Sequence, residues 1–151
     1  MFSARFKRAG LGRKLAALEA VAQSKVLTRV AYAAALPVEA QTKVNIQADD
    51  LIDTGFLINS IHASALGMGD YDAAKAAAES RNPDIRMIPR YRHAKAGRAV
   101  VSAGAEYARY VHDGTSRIAG TEYMRRAFEQ AKPRAAKAAA EELRAAIREV
   151  R

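Results

Sequence analysis

The chain contains no cysteine, so disulfides and thiolate metal sites are excluded, and nothing in it points to an oxidising compartment. It has no apolar run near the roughly 20 residues that a membrane-spanning helix needs. It lacks a Gly-x-Ser-x-Gly nucleophile elbow. It also lacks a phosphate-cradling glycine loop, because Gly10-Leu11-Gly12 has neither the third glycine nor a preceding strand. Its three histidines, His62, His93 and His112, stand alone, none of them three or four residues from another, so metal-ligand spacing is missing. His112 and Asp113 are sequence neighbours, and neighbours on a helical turn are not expected to face each other. The start of the chain is basic with no apolar stretch after it, and does not read as a secretory signal. No catalytic residue, cofactor or metal ligand is therefore assigned, and the chain is not expected to be an enzyme.

What the chain has is positive charge: +9 in 151 residues, with a pI near 10.1. That balance suits nucleic acid, an anionic surface or acidic protein partners. The charge is clustered. Arg5, Lys7, Arg8, Arg13 and Lys14 crowd the start, and Arg81, Arg86, Arg90, Arg92, Lys95 and Arg98 crowd the middle. No base-reading motif accompanies them. Arg90-Tyr91-Arg92 could grip phosphates or stack on bases; a solvated loop or an acidic protein contact is the blander use.

The length fits one domain over residues 1–151, and a chain of this size can bury about two-thirds of its unfolded surface. Residues 1–10 read as a basic tail. From Leu11 to about Ala35, strong helix formers carry an apolar stripe at Leu11, Leu15, Leu18, Ala22, Val26, Val30 and Ala33. Pro37 should end or kink that helix, and a second piece then runs through Val38, Thr42 and Ile46. Asp53 or Thr54 should cap the following helical turn, with Leu57 and Ile61 on one side of it. A weakly patterned strand is expected over 61–66. Residues 67–97 read as a long loop or arm with a short Ala-rich helix over 70–80, and a loop of this length is usually functional. Arg98 to Ala103 is a strand that Gly104 stops. Tyr107, Tyr110 and Val111 fall at helical spacing, and Gly114 is a left-handed stop. Thr121 should cap a last helix that Pro133 kinks or splits, with a stripe at Ala136, Ala139, Leu143, Ile147 and Val150. The fold class that follows is α+β, with a small antiparallel sheet packed against a long N-terminal and a long C-terminal helix around an extended central loop.

Leu51-Ile52-Asp53-Thr54-Gly55 also has the form in which a dimeric aspartic protease presents its carboxylate, where two such groups share a proton. Those enzymes are nearly all β. Here the flanks are Ala-rich and helical, so a turn is the better reading.

Two segments, taken in order, carry a family resemblance. The first is Asp53-Thr54-Gly55-Phe56-Leu57-Ile58-Asn59-Ser60-Ile61, and the second is Tyr107-Ala108-Arg109-Tyr110-Val111-His112-Asp113-Gly114-Thr115. Between two helices and at this distance, they resemble the HK97-like family of tailed-phage neck proteins, also called tail-completion or head–tail connection proteins. The resemblance spans roughly Leu11 to Ile147, although its specific part is about twenty residues. The motif positions are Asp53, Thr54, Gly55, Leu57, Ser60, Ile61, Tyr107, Ala108, Tyr110, Val111, Gly114 and Thr115. Tyr123-Met124-Arg125-Arg126-Ala127 stands where the family opens its last helix, with Arg126 in place of the usual proline. The middle segment is longer than the family's.

The resemblance implies a structural virion protein. It would form a homo-oligomeric ring at the neck, between a portal, adaptor or head-closure protein and a tail terminator or tail tube protein. It would be assembled in the host cytoplasm, with no membrane partner and with non-specific contact to packaged DNA. Under that reading Asp53 and Thr54 cap, Gly55 and Gly114 turn, and Tyr107, Tyr110 and Val111 pack. Arg86, Arg90, Tyr91, Arg92, Lys95 and Arg98 are candidate contacts to a neighbouring subunit, DNA or an acidic partner. The alternative from another class is a small basic nucleic-acid-binding protein.

Overall fold

In the computed structural model, residues 19, 24–69, 71–81, 86–87 and 97–149 are described. They build two long antiparallel helices, α1 (Ser24–Ala48) and α5 (Tyr123–Glu149). Between them in sequence come α2 (Phe56–Asn59), β1 (Ile61–Ala65), α3 (Tyr71–Arg81), β2 (Ala99–Ala103) and α4 (Ala108–Asp113). The architecture is α+β, with a two-stranded antiparallel sheet beside the helix pair. No described helix is long and apolar enough to cross a membrane.

The pairing of α1 with α5 is fastened along its length. At one end Arg29 of α1 grips Glu149 with both guanidinium nitrogens, at 2.9 and 3.1 Å, and reaches Glu142 at 2.7 Å. Midway, Arg134 donates to the Gln41 amide oxygen. At the other end the Asn45 amide donates to the Tyr123 carbonyl at 3.1 Å, and Arg126 pairs with Asp49. Small side chains line the seam. Ala35, Ala127, Ala131 and Ala146 are buried, which allows the axes to approach toward the 8 Å end of the usual 8–10 Å range.

Pro37 does not end or divide α1, which stays helical from Ser24 to Ala48. Pro133 likewise lies inside an undivided α5. An interior proline costs a helix about 3 kcal/mol, and packing along the partner helix outweighs that local cost. The buried lines are also not those read from large apolar residues. In α1 the buried positions are Thr28, Ala35, Thr42, Asn45 and Ile46, while Val26, Val30 and Ala33 are half-buried. In α5 the buried line runs through Tyr123, Ala127, Ala131 and Ala146, leaving Ala136 and Ile147 exposed. The two threonines are tolerated because their hydroxyls are used: Thr42 donates to the Val38 carbonyl at 2.7 Å, and Thr28 accepts the Gly97 N–H at 2.9 Å. Leu11, Leu15, Leu18, Ala22 and Val150 lie outside the described residues.

The sheet has the register Ile61↔Ala103 through Ala65↔Ala99. β1 alternates buried and half-buried residues, as a strand with one face on a core does. Its Ala63 N–H donates to the Glu39 carboxylate of α1 at 2.8 Å, which ties sheet to helix. The expected loop over 67–97 contains α3, whose Tyr71 is buried. Met87 returns to the body through an antiparallel bridge with Ala105. The core is Ile46, Phe56, Leu57, Ile61, Tyr71, Met87, Ala105, Ala108 and Tyr123.

Candidate functional site

The fold brings the two sequence motifs together at the end of the molecule where α1 finishes and α5 begins. Gly55 has φ 75° and ψ 0°, left-handed angles that suit glycine. It turns the chain so that Phe56 and Leu57 enter the core. Of the two expected capping residues, Thr54 accepts the N–H of Phe56, the first residue of α2, in a long bond, and Asp53 makes no such bond. Gly55 occupies the cap position with no side-chain cap bond, and the Thr54 hydroxyl is 3.4 Å from the Phe56 nitrogen. Asp53 is exposed. Ser60 and Ile61 are fully buried, and the Ser60 hydroxyl donates to the Leu57 carbonyl at 2.7 Å.

Tyr107 joins the motifs. Its ring centroid lies 6.4 Å from that of Phe56. Burial of its phenol raises its pKa above the ordinary tyrosine value, while hydrogen bonds with the Leu57 backbone and the Thr54 side chain pull the other way. Ala108 is buried beneath it, and its carbonyl accepts from the Tyr123 hydroxyl at 3.3 Å. Tyr123 is completely buried, and that burial pushes its pKa up to about 12.

Gly114 has φ 82° and ψ −174°, an extended positive-φ conformation in place of the expected left-handed helical stop. A Cβ there would come within 2.4 Å of the Gly120 nitrogen and 2.6 Å of the Ile118 carbonyl oxygen. The chain folds back so tightly that only glycine fits. Thr115 shapes this turn, its hydroxyl accepting from the amides of Arg117 and Ile118. Thr121 does not cap α5. Its hydroxyl donates to the Val111 carbonyl at 3.0 Å, and Glu122 precedes the helix with φ 49°.

His112 and Asp113, neighbours in sequence, do meet: Nδ1 lies 2.8 Å from the Asp113 carboxylate. That bond, with a smaller contribution from Arg109, holds the Asp113 pKa below its ordinary value. The His112 ring stands edge-on to Tyr123 at 5.2 Å. Among the described residues no three His, Cys, Asp or Glu side chains gather as a metal site.

Around these buried residues lies uncovered apolar surface. Ile52, Tyr110, Ile118 and Phe128 are 43%, 64%, 68% and 53% exposed. An open recess of about 880 Å³ lies beside them, lined by Val101, Ala103, Ala105, His112, Met124 and Phe128. Chemically, this end of the molecule offers rigid turns and exposed aromatic and aliphatic side chains, a surface for protein contact. Phe128 and Ile118 were not singled out in the sequence; their only signal was a large apolar residue off the helical stripe or inside a turn. Of the basic candidates, Arg86 and Arg98 are exposed, while Arg90, Tyr91, Arg92 and Lys95 lie outside the described residues.

Compared with protein-family models, curated proteins and solved structures, the chain finds no match in any of the three.

Proposed function

We propose that this chain is a structural subunit of a tailed bacteriophage neck, a tail-completion protein that joins its own copies into a ring around the DNA passage. The head side would be met by a portal, adaptor or head-closure protein, and the tail side by a tail terminator or tube protein. The observation that carries this reading is the meeting of the two motifs. Gly55, Phe56 and Tyr107 build one rigid end, beside which Tyr110, Ile118 and Phe128 remain uncovered. Ring subunits associate by heterologous contacts, one face against a different one, and such contacts need an uncovered apolar surface. Gly55 and Gly114 turn the chain, Leu57, Ile61 and Ala108 pack, Tyr110 is exposed where packing was expected, and none is given a catalytic role.

Native mass spectrometry of the purified protein, alone and with neck partners, tests this. A discrete closed oligomer in either condition supports the reading. A monomer under every condition, up to high micromolar concentration, overturns it. One observation favours the alternative, a small basic nucleic-acid-binding protein: the net charge of +9.

A further inference from the structure

The described residues carry sixteen Lys and Arg against fourteen Asp and Glu, a net charge of +2. The remaining +7 belongs to residues outside them. Eight of those sixteen cations have a carboxylate partner, Lys75 and Lys137 at the long distances of 3.9 and 4.0 Å. Arg29 is taken by Glu142 and Glu149, Lys43 by Glu39, Arg109 by Asp113, Arg125 by Glu122, Arg126 by Asp49 and Lys132 by Glu129.

Of the eight without a carboxylate partner, Arg81, Arg86, Arg117 and Arg134 lie elsewhere on the body, and the other four gather at one end. Lys25 lies in the first turn of α1. Arg144 and Arg148 lie near the end of α5, which the Arg29 bonds fasten to the start of α1. Arg98 follows Gly97, whose amide is held by Thr28. All four are exposed, and none has a carboxylate partner among the described residues. Each of the two carboxylates that face Arg29 here, Glu142 and Glu149, is already engaged by it.

The opposite end, about 37 Å away at 1.5 Å per residue of α1, is different. There, among the described residues, Asp50, Asp53 and Glu106 are exposed without a cationic partner, and three cations without a carboxylate partner stand against them: Arg81 beside Thr54, Arg86 next to the Met87–Ala105 bridge, and Arg117. The exposed aromatic side chains Tyr107, Tyr110 and Phe128 also belong to that end.

We propose that the first of these two poles binds the phosphate backbone of duplex DNA without reading sequence. The site is Lys25, Arg98, Arg144 and Arg148. Three of the four are arginines, whose planar fork suits phosphate oxygens. The exposed hydrophobic residues of this pole, Leu27, Leu66 and Ile147, are aliphatic. A single-strand site would be expected to offer aromatic stacking platforms, and among the described residues those lie at the far end. Free charges of the two signs balance at the far end, so the pole with the positive surplus is the one that faces DNA. This inference does not rest on the neck reading. Ring formation is read by mass and DNA binding by anisotropy, and either can fail alone.

The test is fluorescence anisotropy of the full chain with a labelled 30-base-pair duplex, across 50 to 200 mM NaCl. Four phosphate contacts predict a log–log salt slope of about −3.6 or steeper. Arg144→Glu/Arg148→Glu should weaken binding at least about tenfold and flatten the slope by about 2. Arg109→Glu/Arg117→Glu makes the same change in net charge at the opposite end and should alter affinity less than about threefold. If the first pair does not fold, as judged by circular dichroism, Lys25→Glu/Arg98→Glu takes its place with the same expectation. Equal losses from the two ends would reduce the effect to bulk charge and overturn the site. So would absent or salt-independent binding, a preference for single strands, or binding to anionic vesicles in place of the duplex.

Discussion

Tyr123 is the residue on which both ends of the chain's logic rest. It is the first residue of α5, it is completely buried, and its hydroxyl reaches back to the Ala108 carbonyl of the second motif. Full burial of a ring this size contributes about 2–3 kcal/mol, and the hydrogen bond adds about 1 kcal/mol. Burial raises its pKa to about 12, against about 10 in an unfolded chain. The folded state therefore holds its proton through a window in which the unfolded state has released it. Stability from this group is fully present below pH 10 and is lost as pH rises from 10 through 12. Tyr71 and Tyr107 are shifted in the same direction, mainly by burial. Urea denaturation from pH 8 to 12 should show stability falling above pH 10. Tyr123→Phe should cost about 1 kcal/mol at pH 8 and visibly flatten the alkaline decline. A decline as steep in that variant would assign the effect to other groups.

At the scale of elements, the lesson is how tertiary packing overrides local rules. β2 was legible because Val100 and Val101 are β-branched and Gly104 stops the run. α3 was legible from its alanines, and the α+β class from the order of the elements. The burial phase of α1 and α5 was not legible, because the seam is made of Ala and Thr, which carry almost no hydrophobic signal. Two prolines gave a break signal that packing overrode, and neither helix divides. At the candidate site, the spacing of Gly55, Tyr107 and Gly114 was readable. The contact of Phe56 with Tyr107, some fifty positions apart, was not, since no local pattern encodes it. The uninterrupted α5 carries its own prediction. Pro133 is exposed, so Pro133→Ala removes a local penalty and sacrifices no buried contact. Thermal unfolding should show the variant more stable by about 1 kcal/mol or more. An unchanged or lowered midpoint would mean that the ring makes a stabilising contribution where it sits.

At the scale of the whole molecule, the body has two unlike ends. Among the described residues, one carries tight turns and uncovered aromatic residues, with free charges of both signs; the other carries the unpaired cations Lys25, Arg98, Arg144 and Arg148. Because Tyr110 and Ile118 project from the first end and are not part of the core, self-association should be separable from folding. Tyr110→Glu/Ile118→Glu should leave the thermal midpoint within about 1 kcal/mol of equivalent stability, as exposed substitutions do. The same pair should abolish any oligomer seen by light scattering. An oligomer that survives the pair would place the subunit contact elsewhere on the body.

The stretch between α3 and β2 is pinned on each side, by the bridge of Met87 to Ala105 and by the Thr28 hydroxyl holding the Gly97 amide. The two pins reach different elements, one the turn after β2 and the other α1, so they act like two independent latches. Removing the Thr28 hydroxyl opens the second latch and leaves the first closed, which lets the entry to β2 be loosened without disturbing the far side of the core.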